Sequence, residues 1–155
     1  MTGRGYLVLG ATGGIGSAVC SLLVARGAGV LATGRDPRKL AQLRAAHGVT
    51  AIEADARDPG AVERCVAAAA ERTGHLDGVV NCVGSLLLKP AHLTSFEEWQ
   101  ATLDVNLGTA FLAVKYGAKA LGGRGGSIVL VASAAARVGW RTTRPWPRRR
   151  RGSSA

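Results

Sequence analysis

The chain has 155 residues, 47% of them hydrophobic and 19% charged, which suits one domain with its own core and excludes a disordered chain. No apolar run approaches the roughly 18 residues of a membrane-spanning helix, and the opening M-T-G-R-G lacks an apolar signal segment, so cytoplasmic residence is expected. Arg141, Arg144, Arg148, Arg149, Arg150 and Arg151 supply six of the net +10 charges, and nothing acidic follows Asp104, which argues against a basic nucleic-acid face on a folded body.

Strand and helix signals alternate from the start. An apolar run at 6–9 predicts a first strand, and 14–26 a first helix. Between them lies L-G-A-T-G-G-I-G, in which Gly10, Gly14 and Gly16 have the spacing G-x-x-x-G-x-G. Residues without a Cβ let such a turn bend and approach phosphates, while the helix N-terminus offers unpaired N–H groups to an anion. A second strand is expected at 29–33. Asp36-Pro37 and Asp58-Pro59 each read as an acidic N-cap followed by proline at the first helical position. They open helices running to about Ala46 and Arg72, with a third strand at 49–53 between them. A fourth strand is predicted at 76–82. Thr94-Ser95-Phe96-Glu97 reads as a capping box for a helix running through Trp99, Leu103, Leu107 and Val114 to about Ala120. Gly125-Gly126 precedes a fifth strand at 127–132. The pattern predicts an α/β fold, a doubly wound parallel sheet of Rossmann-like type. Five strands are visible where a complete dinucleotide fold has about six.

At the end of the second strand stands Gly34-Arg35, where an acidic side chain would accept from a ribose 2′-hydroxyl and an arginine suits a 2′-phosphate. NADP is therefore the expected cofactor and NAD the alternative. A solvated arginine at a helix start is the plainer reading of Arg35. Gly13 moderates the preference, since many NADP enzymes carry a second basic residue there. Cys20, Cys65 and Cys82 are odd in number and widely spaced, and His47, His75 and His92 have no ligand spacing with them. Buried reduced thiols are expected, and no metal.

Over about residues 4–140 the chain resembles the short-chain dehydrogenase/reductase family. Gly10, Thr12, Gly14, Ile15 and Gly16 match its cofactor turn, with Gly13 inside it and Leu9 replacing the usual threonine before it. Asp55 in A-D-A-R-D, with Ala56 beside it, matches the acidic residue the family uses on the adenine. Asn81-Cys82-Val83-Gly84 resembles the N-N-A-G segment that supports the sheet and lines the cofactor cleft. Asn106 in D-V-N-L matches the asparagine that keeps a lysine and a proton-relay water in place, and Ser133 matches the catalytic serine. Plainer roles exist for some of these: a helix cap for Asp55 or Asp58, turn satisfaction for Asn81, a helix kink at Asn106.

The resemblance implies hydride transfer between NADP(H) and a small carbonyl or alcohol substrate, with a tyrosine exchanging the proton beside a lysine that lowers its pKa. Where the family carries that pair, this chain has Trp146 and Arg150, and its only tyrosines are Tyr6 and Tyr116. Indole cannot exchange a proton usefully, and arginine differs from lysine in shape and hydration. After Trp140 the sequence loses all hydrophobic period, so a domain over 1–140 and a basic, disordered tail over 141–155 are expected. Back-translated with GC-rich codons and read from the third base of each, residues 141–152 become N-H-E-A-V-A-A-A-K-A-G, a suitable start for the family's next helix. A frameshifted, truncated and inactive reductase is thus expected, with a non-catalytic or regulatory NAD(P)-binding protein as the alternative. Complete members of the family are homo-oligomers through the fourth and fifth helices, of which the fourth is present here.

Overall fold

The computed structural model describes residues 3–134, including five parallel strands and five α-helices. The strands are β1 (Gly5–Leu9), β2 (Gly29–Gly34), β3 (Thr50–Glu53), β4 (Gly78–Asn81) and β5 (Ser127–Leu130). The helices are α1 (Gly14–Ala25), α2 (Pro37–His47), α3 (Pro59–Thr73), α4 (Phe96–Leu103) and α5 (Thr109–Leu121). The sheet order is β3-β2-β1-β4-β5. Successive strands step outward from β1 to one side and then, from β4 on, to the other, so the chain reverses direction between β1 and β4. A crevice opens at the carboxyl ends of strands on either side of such a reversal. The register places Leu9 opposite Asn81 and Val8 opposite both Ala32 and Val80.

Strand periodicity sorts the core into two layers. Leu7, Leu9, Leu31 and Val79 face α3 and α5, where Val62, Val66, Leu112 and Ala113 meet them. Val8, Val30 and Ala32 face the opposite way, onto Cys20 of α1 and Leu40 and Leu43 of α2. The three cysteines are free thiols, Cys20 and Cys65 within these layers and Cys82 half-buried. Burial pushes the Cys20 thiol up to about 11, with Cys82 nearby adding to the effect.

Local chemistry explains the helix starts. The Asp36 carboxylate accepts from the N–H groups of Arg38 and Lys39 at 2.9 and 3.3 Å, and Asp58 accepts from Gly60 N–H at 2.9 Å. Both helices carry proline in the first turn and end on a left-handed glycine, Gly48 (φ 66°) and Gly74 (φ 75°). The capping box lies one residue later than the sequence suggests. Ser95 Oγ accepts from Glu98 N–H at 3.2 Å and Glu98 accepts from Ser95 N–H at 2.9 Å, whereas Thr94 donates its hydroxyl back to the Pro90 carbonyl. The threonine is spent closing the preceding turn, so the serine takes the cap.

Two boundaries also differ. β4 and β5 are shorter than the apolar runs containing them: the first run begins two residues before β4 and ends one after it, and the second continues two residues past β5. The helix expected through to Ala120 is interrupted by a π-helical turn over Asp104–Gly108. Such a wide turn leaves carbonyls poorly satisfied, and here two side chains supply donors. Asn106 Nδ2 donates to Thr102 O at 2.8 Å, and Thr109 Oγ1 to Val105 O at 2.7 Å. Among the described residues no helix is long and apolar enough to cross a membrane.

Candidate active site

A cleft of about 320 Å³ opens at the carboxyl edge of the sheet, beside the reversal between β1 and β4. Every strand from β1 to β4 delivers a segment to it: Gly10, Thr12 and Gly13 after β1, Gly34 and Arg35 at the end of β2, 54–57 after β3, and 82–85 after β4. Three glycines make the approach of these segments sterically feasible. Gly10 is left-handed, at φ 70°, and a Cβ there would stand 2.9 Å from the Val83 backbone nitrogen. At Gly16 a Cβ would meet Ala11 Cα at 2.7 Å, so its absence lets α1 close onto the turn. Gly34 faces Thr12, whose Oγ1 would lie 2.9 Å from an added Cβ. An acidic side chain at 34 would have to move Thr12, which gives a steric reason for the missing carboxylate.

The start of α1 could hold an anion. Gly13 is its N-cap, no side chain caps it, and no acidic residue lies in the first turn. Its leading N–H groups are therefore left to a ligand, with the helix dipole behind them. Opposite stand Arg35 and Lys39, both lining the cleft.

Other candidate residues stand as follows. Asp55 and Ala56 line the cleft, and Asp55 is held by Arg57 in a two-pronged ion pair whose closest approach is 2.5 Å. That hydrogen-bonded guanidinium holds the Asp55 carboxyl down to about 2. Gly84 lines the cleft, and a Cβ on it would meet Asn106 Oδ1 at 3.3 Å. Asn106 acts one step back: its Oδ1 accepts from Ser85 N–H at 3.0 Å and its Nδ2 donates to Ser85 Oγ at 3.1 Å, fastening the loop after β4 to the π turn. Gly14, Gly16 and Ile15 lie in the first turn of α1 rather than among the cleft-lining residues, Ile15 being 57% exposed. Ser133 follows β5 at the same edge of the sheet and is exposed.

Asn81 stands behind the cleft. It is 3% exposed and does not line the cleft. Its Oδ1 accepts from Val83 N–H at 3.1 Å and its Nδ2 donates to Thr109 Oγ1 at 3.1 Å. It shapes the strand end from behind, tying β4 to the start of α5. A buried amide must spend its hydrogen bonds on protein partners, and here those partners are a turn and a helix.

Sequence reasoning overlooked Arg57, Lys39, Ser85 and Thr109. Arg57 was legible in the A-D-A-R-D string, where Asp55 Oδ1 also accepts from the Arg57 N–H at 2.9 Å in a local turn. Thr109 offered no such signal, since its role depends on the packing of β4 against α5. Among the described residues there is no group of three or more His, Cys, Asp or Glu side chains that could hold a metal ion.

The model of the short chain dehydrogenase family matches residues 5–146. The chain belongs to the short-chain dehydrogenase family. It is 33% identical over 144 residues to a D-threitol dehydrogenase of Mycolicibacterium smegmatis, covering 89% of this chain and 55% of that protein. It is 36% identical over 103 residues to the NADP-dependent 3-hydroxy acid dehydrogenase YdfG of Salmonella typhi, covering 64% and 42%. A solved structure, the glucose/ribitol dehydrogenase-type short-chain dehydrogenase/reductase of Brucella melitensis, superposes with a TM-score of 0.86 at 34% identity, covering 92% of this chain and 62% of that one. The chain thus spans about half the length of the curated relatives it matches. Short-chain dehydrogenases bind NAD(P) and are oxidoreductases, and the glycine turn, held tight because a Cβ at Gly10 or Gly16 would strike backbone, leaves a cleft that could take a dinucleotide.

Proposed function

We propose that this short-chain dehydrogenase binds NADP(H) in preference to NAD(H), for hydride exchange with a small carbonyl or alcohol compound, and that the chain as written does not turn that substrate over. The observation carrying the cofactor preference is the wall of the cleft that holds Gly34, Arg35 and Lys39. Arg35 and Lys39 supply two cations there and position 34 carries no carboxylate, while the Asp55 carboxylate of the same cleft is held by Arg57, which suits a 2′-phosphate. The NADP dependence of the YdfG relative supports the same preference.

The dinucleotide supplies the hydride when bound. The chain's own residues do the rest: the turn over 10–16 and the N-terminus of α1 take the pyrophosphate, Asp55 accepts from the adenine amine, and Ser133 orients the substrate oxygen. Proton exchange then needs a donor beside Ser133. Tyr6 lies in β1, and Tyr116 packs from α5 against the core layer over α3. Neither serves the carboxyl edge, and the positions of Trp146 and Arg150 fall outside the described residues. Hydride transfer without a matched acid is the reason for expecting no turnover.

Fluorescence titration tests the cofactor assignment. NADPH should bind about tenfold more tightly than NADH, and Arg35→Asp should reverse the order, because a carboxylate repels the 2′-phosphate and accepts from a 2′-hydroxyl. Equal affinities in the unaltered chain would remove the NADP assignment.

A further inference from the structure

We infer that Arg57 is a specificity-determining residue: by holding the Asp55 carboxylate, it sets how strongly the base of a bound dinucleotide is read. This rests on the dinucleotide reading above. Asp55 Oδ1 accepts from Arg57 Nε at 3.0 Å, and Oδ2 accepts from Nε at 3.0 Å and from Nη2 at 2.5 Å. With the Arg57 backbone N–H also on Oδ1, both oxygens are engaged before any ligand arrives. A base amine that donates to Asp55 must therefore displace a guanidinium or share the carboxylate with it.

That exchange is feasible because the pair is wet. The side chains of Arg57 and Asp55 are 46% and 35% exposed, and exposed ion pairs contribute little to stability. A released guanidinium also has somewhere to go. Arg57 also lines a second groove of about 490 Å³, where Asp58 and Asp104 stand as well as Asp55. Asp104 already acts on the Arg57 charge from there. Arg57 thus has further carboxylates, Asp58 and Asp104, within the groove it shares with Asp55.

The consequence is chemical. An ionised carboxylate only accepts hydrogen bonds, so a bare Asp55 favours a purine bearing an amine and repels one bearing a carbonyl at the same place. A guanidinium over that carboxylate reverses the second term, since it donates to the carbonyl. Arg57 therefore levels the discrimination between the two bases, and its removal sharpens it.

The test compares NADPH with its hypoxanthine counterpart, in which a carbonyl replaces the adenine amine, by fluorescence titration of the full chain. The unaltered protein should bind the two within about threefold, and Arg57→Ala should widen the preference for adenine by about fivefold, the equivalent of an exposed ion pair. Arg57→Lys should fall between them, because an ammonium cannot grip both oxygens as a planar fork does. If Arg57→Ala binds both cofactors with an unchanged ratio, the inference is overturned and the dinucleotide reading stands. If neither cofactor binds the unaltered chain or either variant, both fall together.

Discussion

Asn81 and Asp55 show how differently two polar residues at one sheet edge can act. Asn81 is buried and its amide spans two elements, so Asn81→Leu should cost about 2 kcal/mol by leaving the Val83 N–H without its acceptor and breaking the link to Thr109. A chemical denaturation midpoint measures the loss, and a variant as stable as the parent would show that the loop after β4 holds itself. Asp55 is accessible, and its partner Arg57 dictates its titration. The carboxyl is lowered from 3.8 to about 2 chiefly by the Arg57 hydrogen bonds. A depressed acid stabilises the fold above its unfolded value and loses that contribution as pH falls through the folded one. The small stabilisation from this pair is therefore complete above about pH 4 and disappears toward pH 2. In Arg57→Ala, carboxyl NMR should find Asp55 titrating higher than in the unaltered chain, with the backbone N–H of residue 57 and the Arg35 charge still acting on it.

At the scale of elements, the long helical stretch after β4 is the informative one. Its start depends on Ser95 and Glu98 and not on Thr94. Ser95→Ala should cost about 1 kcal/mol, and Thr94→Ala should cost clearly less, because only the serine satisfies an otherwise orphan N–H of the first turn. Equal losses in thermal melts would return the cap to Thr94. Further along, the π turn places Asn106 where its side chain reaches the loop after β4 while still serving the Thr102 carbonyl. A plain α-helix would rotate that side chain away from Ser85. The irregularity is thus the means by which a helix residue comes to shape the cleft.

At the scale of the whole molecule, the proposed cofactor cleft goes with a sequence that has Trp146 and Arg150 where the family resemblance places a tyrosine and a lysine. Carbonyl reduction driven by NADPH should accordingly stay at background, since positioned acid–base groups are worth about 10²–10⁴ in rate. Ser133-dependent turnover by the unaltered chain would overturn the proposed inactivity. Reading the alternative frame from about residue 140 should tighten cofactor binding through the lysine it supplies. Strong turnover should return only when a tyrosine also stands at the position of Trp146. Separately, deleting residues 141–155 should leave the melting temperature nearly unchanged, because a segment without apolar period buries little. The same deletion should abolish any salt-sensitive nucleic-acid binding, as it removes six arginines together. A large fall in melting temperature would show the segment to be packed.

The alternation of apolar runs with Asp-Pro helix starts was enough to order the described strands and helices, because periodicity and caps are local properties written in consecutive residues. The same holds for the glycine turn, where a backbone needing close approach selects residues without a Cβ. Tertiary structure alone decided which of the matched residues face the cleft. Asn81 turns inward because Thr109, from a distant helix, offers it a partner in the core. Asn106 reaches Ser85 because a π turn, invisible in a pattern of apolar spacing, redirects it. Arg57 closes over Asp55 at the junction of two cavities that exist only once β3 has paired with β2 and α3 has packed against α5. Residue type is a property of the chain, but the partner a polar group finds is set by what the fold brings within hydrogen-bonding distance of it.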